Sequence, residues 1–153
     1  MTTTTDTPRQ TTTTSSRAGL FAMLVGTAFL LVGILGFVPG ITTNVGEMKF
    51  AGPDSPAELL GIFQVSVLHN IVHLLFGVVG LAASRAPASA RAFLLGGGAI
   101  YLALWVYGLV VGTASDANFV PVNDADSWLH FGLGAAMVAL GIAFSPARET
   151  TRA

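Results

Sequence analysis

Four long apolar stretches, separated by polar segments carrying Gly, Pro and acidic residues, organise the chain: about 18–38, 59–83, 92–112 and 126–145. A helix needs about 20 apolar residues to cross a hydrocarbon core of about 30 Å. The first three stretches meet that directly, and the fourth does so with Asp126 and Ser127 at its wet end. Pro39-Gly40 closes the first, Pro87 stands in the turn between the second and third, and Pro146 closes the fourth. Ser55, followed by Pro56 and Glu58, fits an N-cap and acidic first turn for the second span. Residues 1–16 are mostly Thr, Ser and other polar residues with too little apolar content to pack, and are expected to form a disordered tail. The first apolar run is too long for a signal-peptide core and lacks an A-x-A-like site, so it reads as a retained span. The expected fold is all-α: a membrane four-helix bundle over 17–146, with a short tail over 147–153.

Helices in lipid associate through close packing of small residues. At about 100° per residue, each span gathers such residues, with polar ones, on a single face. Span one presents Gly19, Gly26 and Gly33; span two Ser66, His69, Asn70, His73, Gly77, Gly80 and Ser84; span three Tyr101, Trp105, Gly108 and Gly112; span four Asp126, His130, Gly134, Met137 and Gly141. These faces are expected to meet inside the bundle. Gly36 and Gly40 form a GxxxG pattern that hints at association with a second copy or another membrane protein. An internal echo runs alongside: Leu68-His69 with Gly80, Ala82 and Ser84 recurs as Leu129-His130 with Gly141, Ala143 and Ser145. It suggests two hairpins repeated in parallel about an axis along the membrane normal.

Composition and charge sharpen the picture. Charged residues make up 10% of the chain, against about 25% in soluble domains, so the surrounding medium is expected to be lipid. The absence of cysteine removes disulfides, thiolate metal sites and thiol redox chemistry. A net charge of -1 with no basic run leaves no footprint for nucleic acid. Arg9, Arg17, Arg85, Arg91, Arg148 and Arg152 fall on one side of the alternating topology and only Lys49 on the other. The positive-inside rule then places both termini in the cytoplasm.

The candidate chemistry is one polar cluster: His69, Asn70, His73, Asp126 and His130, with Tyr101 and Trp105 beside it. Counted up from Ala83 and Phe144 at about 1.5 Å per residue, His69 and His130 lie roughly 21 Å along, in the outer half of a core of about 30 Å. An ionisable residue at such depth is a functional-site hypothesis by default. One reading is a clasp of neutral side chains that fixes helix register, in a non-enzymatic accessory or interaction bundle without a cofactor. A second is a metal, haem or quinone site: His69 and His73 at i and i+4 could share a metal with His130, Asp126 could orient His130, and Trp105 with His130 could line a quinone pocket. A third is a proton or small-solute path through the same residues. Nothing resembles a nucleophile elbow, a phosphate loop or paired catalytic carboxylates. Trp128 reads as an interfacial anchor.

Leu60-Gly61-Ile62-Phe63-Gln64-Val65-Ser66-Val67-Leu68-His69-Asn70-Ile71-Val72-His73-Leu74-Leu75-Phe76-Gly77 resembles the signature of a bacterial family of four-helix membrane proteins known as a domain of unknown function. Gly96-Gly97-Gly98 with Tyr101, Leu104-Trp105-Val106-Tyr107-Gly108, and Val120-Pro121-Val122-Asn123 with Asp126, Trp128, Leu129 and His130 resemble it too. The resemblance covers about 18–145. It implies the four-span topology and a bacterial plasma-membrane location, and no activity.

Overall fold

The computed structural model describes residues 12–111, 115, 117–120 and 122–144, with side chains from Arg17 onward. The remaining N-terminal tail, Gly112 and the 147–153 tail lie outside the described residues. Four helices form a bundle: α1 (Thr12–Leu35), α2 (Val67–Ala83), α3 (Pro87–Val111) and α4 (Asp124–Ala143). Three of them, Arg17–Leu35 within α1, α3 and α4, are long and apolar enough to cross a membrane. Exposed apolar side chains such as Leu31, Leu75, Leu109 and Ile142 cover the bundle surface, which suits hydrocarbon and not water.

Two boundaries differ from expectation at the ends. α1 begins at Thr12, inside the stretch expected to be tail. Extending a formed helix adds one hydrogen bond per residue without a new nucleation cost, which carries the Thr/Ser run into the helix. α3 begins at Pro87, which the sequence places in the turn. Proline's missing N–H costs nothing at a first helical position.

The larger difference lies before α2. Leu59 to Ser66 is not helical. Three short strands, β1 (Thr42–Thr43), β2 (Glu58–Leu59) and β3 (Phe63–Gln64), form an antiparallel sheet in the order β1-β2-β3, with Leu59 opposite both Thr42 and Phe63. The β2–β3 turn puts Leu60 at φ 55 and Gly61 at φ 67, with Ile62 N–H donating to Leu59 C=O at 3.1 Å. Two consecutive left-handed residues make a type I′ turn, which no helix can pass through. Ala57, Leu59 and Val65 form a small second core against Val32, Leu35, Ile41 and Met48.

Glu58 therefore lies in a strand, and Ser55 is not the cap of α2. The Ser55 hydroxyl instead donates to Val65 C=O at 2.6 Å. The cap is Ser66, in extended conformation, whose Oγ accepts from His69 N–H at 3.1 Å. Val67 and Leu68 N–H donate to Lys49 and Phe50 C=O at 3.1 and 2.9 Å. The first N–H groups of a helix have no partner within it, and a low-dielectric setting requires that others satisfy them. The sheet-end loop does this, so a helix of 17 residues, about 25 Å long, ends in a satisfied cap.

α1 packs chiefly on α2 and α3 on α4; α1 also joins α3, whereas α2 and α3 touch sparsely. Both close seams run over glycine. A Cβ on Gly26 would lie 3.0 Å from both Gly77 O and Gly80 C, and one on Gly98 would lie 2.9 Å from Gly134 O. A Cβ on Gly33 would meet Asn70 O and the Leu74 side chain, one on Gly77 the Leu30 side chain and Gly26 O, and one on Gly141 the Leu95 side chain; Gly108 sits against Ser127. Gly36 and Gly40 do not form an exposed helical pair. α1 has ended at Leu35, Gly36 is covered by the Asn70 side chain, and Gly40 turns the chain at φ 91. The main core gathers Ala22, Phe29, Phe93, Leu94, Tyr101 and Met137.

Candidate functional site

The sparse α2–α3 seam leaves a cavity of about 250 Å³ at the sheet end of the bundle. His69 and His73 face it from α2, Tyr101 from α3 and His130 from α4; Phe119 and Val120, before α4, close it above. The remaining described lining residues are aliphatic or aromatic, and Val72 and Ile100 at its edge are also exposed on the bundle surface.

The i,i+4 spacing brings His69 and His73 face to face, with ring centroids 4.5 Å apart and planes within 2°. His73 Nδ1 lies 3.0 Å from His69 C=O. A carbonyl can only accept, so Nδ1 carries the proton and Nε2 of the neutral ring is an acceptor. The Tyr101 hydroxyl, 3.3 Å away, donates to it. The arrangement fixes the tautomer of His73 and the direction of the Tyr101 proton. Phe29 supports both rings from α1, stacked on Tyr101 at 5.3 Å and edge-on to His73 at 5.6 Å.

His130 meets Tyr101 edge to face at 5.0 Å. It is 3% exposed, and its Nδ1 is buried without a hydrogen-bonding partner among the described residues. An unmet buried polar group costs about 1–3 kcal/mol, so a guest that bonds to this nitrogen would recover that cost.

Three expected members of the cluster lie elsewhere. Asn70 projects from the other side of α2 toward α1, over Gly36, with Nδ2 3.7 Å from Met48 Sδ. One residue after His69 on a helix is a rotation of about 100°, enough to change seams. Asp126 is not a partner for His130: its Oδ2 accepts from Asn123 N–H at 3.1 Å and Gln64 N–H at 3.0 Å. Trp105 leaves the cavity for an aromatic patch with Phe131 and Trp128, at 4.7 and 6.4 Å, so it does not build a quinone pocket with His130. Among the described residues, no three of His, Cys, Asp and Glu are grouped to hold a metal ion. Phe76 on the cavity wall was missed, although it lies three residues after His73 and on the same helical face. Gln64 gave no signal, because its N–H matters and not its side-chain type. Its side chain donates to Pro53 and Ser55 C=O and holds the loop against β3.

The fold and cavity together define a class: a small helical bundle with the make-up of a membrane protein and a largely apolar cavity between two of its helices, with a few polar groups on its wall. The family model described as "Domain of unknown function (DUF4383)" matches residues 20–143, and the chain belongs to that family. No curated protein and no solved structure matches it.

Proposed function

We propose that the chain is a multi-pass protein of the bacterial plasma membrane, both termini cytoplasmic, that binds a lipid-soluble small molecule in the cavity between α2 and α3. It works by binding and not by catalysis. The observation that carries this reading is the cavity itself. Its walls are apolar, its edge residues Val72 and Ile100 are exposed on the surface that hydrocarbon would cover, and His73, Tyr101 and His130 supply directed polar groups. Convergent polar groups in an otherwise apolar hollow are the usual make-up of a small-molecule site.

The orientation rests on charge: Arg17, Arg85 and Arg91 lie at the end opposite Lys49 and the sheet. Because the chain has no cysteine, single cysteines report sidedness without background. On intact cells, a membrane-impermeant maleimide should label Asp54→Cys, on the sheet-end loop, and label Ala88→Cys only after lysis. The opposite pattern would invert the topology and place the cavity in the inner leaflet.

For the binding itself, the full chain is extracted with its surrounding lipid into polymer nanodiscs and examined by native mass spectrometry. A neutral lipophile bound at a one-to-one ratio is expected, and lost in Leu104→Trp, which fills the cavity. Identical spectra for the two proteins would remove the reading.

A further inference from the structure

We infer that the ligand is a quinone or quinol with a prenyl-type tail, its ring head held against His130 and Tyr101; this rests on the binding function proposed above. Size sets the first limit. An apolar cavity of about 150 Å³ holds a benzene-sized guest, so about 250 Å³ admits one substituted ring or two fused rings, and is too small for a four-ring sterol. Charge sets the second. Among the described residues, the cavity lining contains no Lys, Arg, Asp or Glu, so a phosphate or carboxylate head would enter a low-dielectric hollow without a counter-charge from them. That excludes phospholipids and fatty acids.

Shape and polarity then select among neutral ring compounds. Tyr101, Phe76 and the stacked His69–His73 pair offer aromatic faces and edges, against which a flat ring packs well. His130 is nine-tenths buried, lies on the wall, and has a ring nitrogen with no hydrogen-bonding partner among the described residues. An imidazole can donate to a quinone carbonyl in one tautomer and accept from a quinol hydroxyl in the other. Tyr101 has committed its proton to His73, which leaves its oxygen lone pairs as acceptors for a quinol hydroxyl. A tail leaving between Val72 and Ile100 passes from the cavity onto exposed apolar surface, where the hydrocarbon of a membrane would receive it.

The test uses the full chain in nanodiscs of uncharged lipid, loaded with a naphthoquinone carrying a short prenyl chain and read by native mass spectrometry. One-to-one binding is expected, about tenfold weaker in His130→Phe, as the loss of one hydrogen bond implies, and abolished in Leu104→Trp. Tyr101→Phe removes a single oxygen and should weaken the quinol more than the quinone; it keeps the proposal testable if His130→Phe fails to fold. Equal binding to wild type and both ring-preserving variants would overturn the placement of the head. No quinone binding, with a different neutral lipophile co-purifying, would overturn the ligand class and leave the binding function standing. Neither a co-purifying lipophile nor probe binding would overturn both.

Discussion

Gly26→Leu is expected to destroy the α1–α2 hairpin and with it the folded bundle. The atoms that a Cβ at this position would meet are all backbone: Leu81 N at 2.9 Å, and Gly77 O and Gly80 C at 3.0 Å. A crowding side chain can rotate away, but the backbone of a helix can yield only by moving the helix. Overpacking of an adaptable core costs about 1–3 kcal/mol, and a rigid backbone places this site at or beyond the top of that range. Total stabilities run to about 5–15 kcal/mol. The loss is compounded because helices in lipid are held by close van der Waals packing, with no hydrophobic gain to offset a separation. The comparison is Gly132→Leu on α4, where a Cβ meets nothing within 4 Å. Thermal unfolding followed by size-exclusion chromatography in mild detergent should show Gly132→Leu with the wild-type profile and Gly26→Leu without a monodisperse folded species. A Gly26→Leu protein melting within a few degrees of wild type would mean that the helices do not approach so closely.

That seam was legible in the sequence because its glycines follow helical spacing with no irregular residue between them. The same rule worked less well where a small rotation decides between seams. Asn70 and Trp105 both fell within the sector drawn for their helices, yet one turns toward Gly36 and Met48 and the other toward Phe131. The true α3 contact at Gly98 lies one turn before Tyr101 on the same stripe and could have been reached by extending it. The segment Leu59–Val65 could not. A short apolar run carries no period that separates a buried strand from a helix, and what breaks the helix here is the positive φ of Leu60 and Gly61. The cavity was beyond reach for another reason. Its polar wall residues were all named, but a hollow arises from how far α2 stands from α3, which no single helix encodes.

Asp126→Ala should produce the second large effect, through the end of the molecule that the sequence read least well. One carboxylate oxygen serves two elements far apart in sequence: Oδ2 accepts from Asn123 N–H, closing the capping box of α4, and from Gln64 N–H on β3, 62 residues before Asp126. Asn123 returns the bond by accepting Asp126 N–H at 2.9 Å. The N-cap itself, Asn123, keeps its bond to the N–H of residue 126, but the Asn123 and Gln64 N–H groups both lose their acceptor. A buried donor left without its partner costs about 1–3 kcal/mol, and with both of these amides only part-buried the two losses put Asp126→Ala at about 2–4 kcal/mol of destabilisation. Asp124→Ala, exposed in the same first turn, should change little. The distinguishing readout is amide hydrogen exchange: Gln64 and Asn123 should both lose protection in Asp126→Ala, while the amides at Gly77 and Gly80 keep theirs. The consequence reaches the cavity because the same loop caps α2. Lys49 and Phe50 carbonyls hold the N–H groups of Val67 and Leu68, and Leu68 and His69 are both cavity wall. Releasing β3 from α4 loosens the first turn of α2, so Asp126→Ala should weaken ligand retention without any contact to the ligand. Protection lost at Asn123 alone would show that the bond to Gln64 does not hold the sheet to α4.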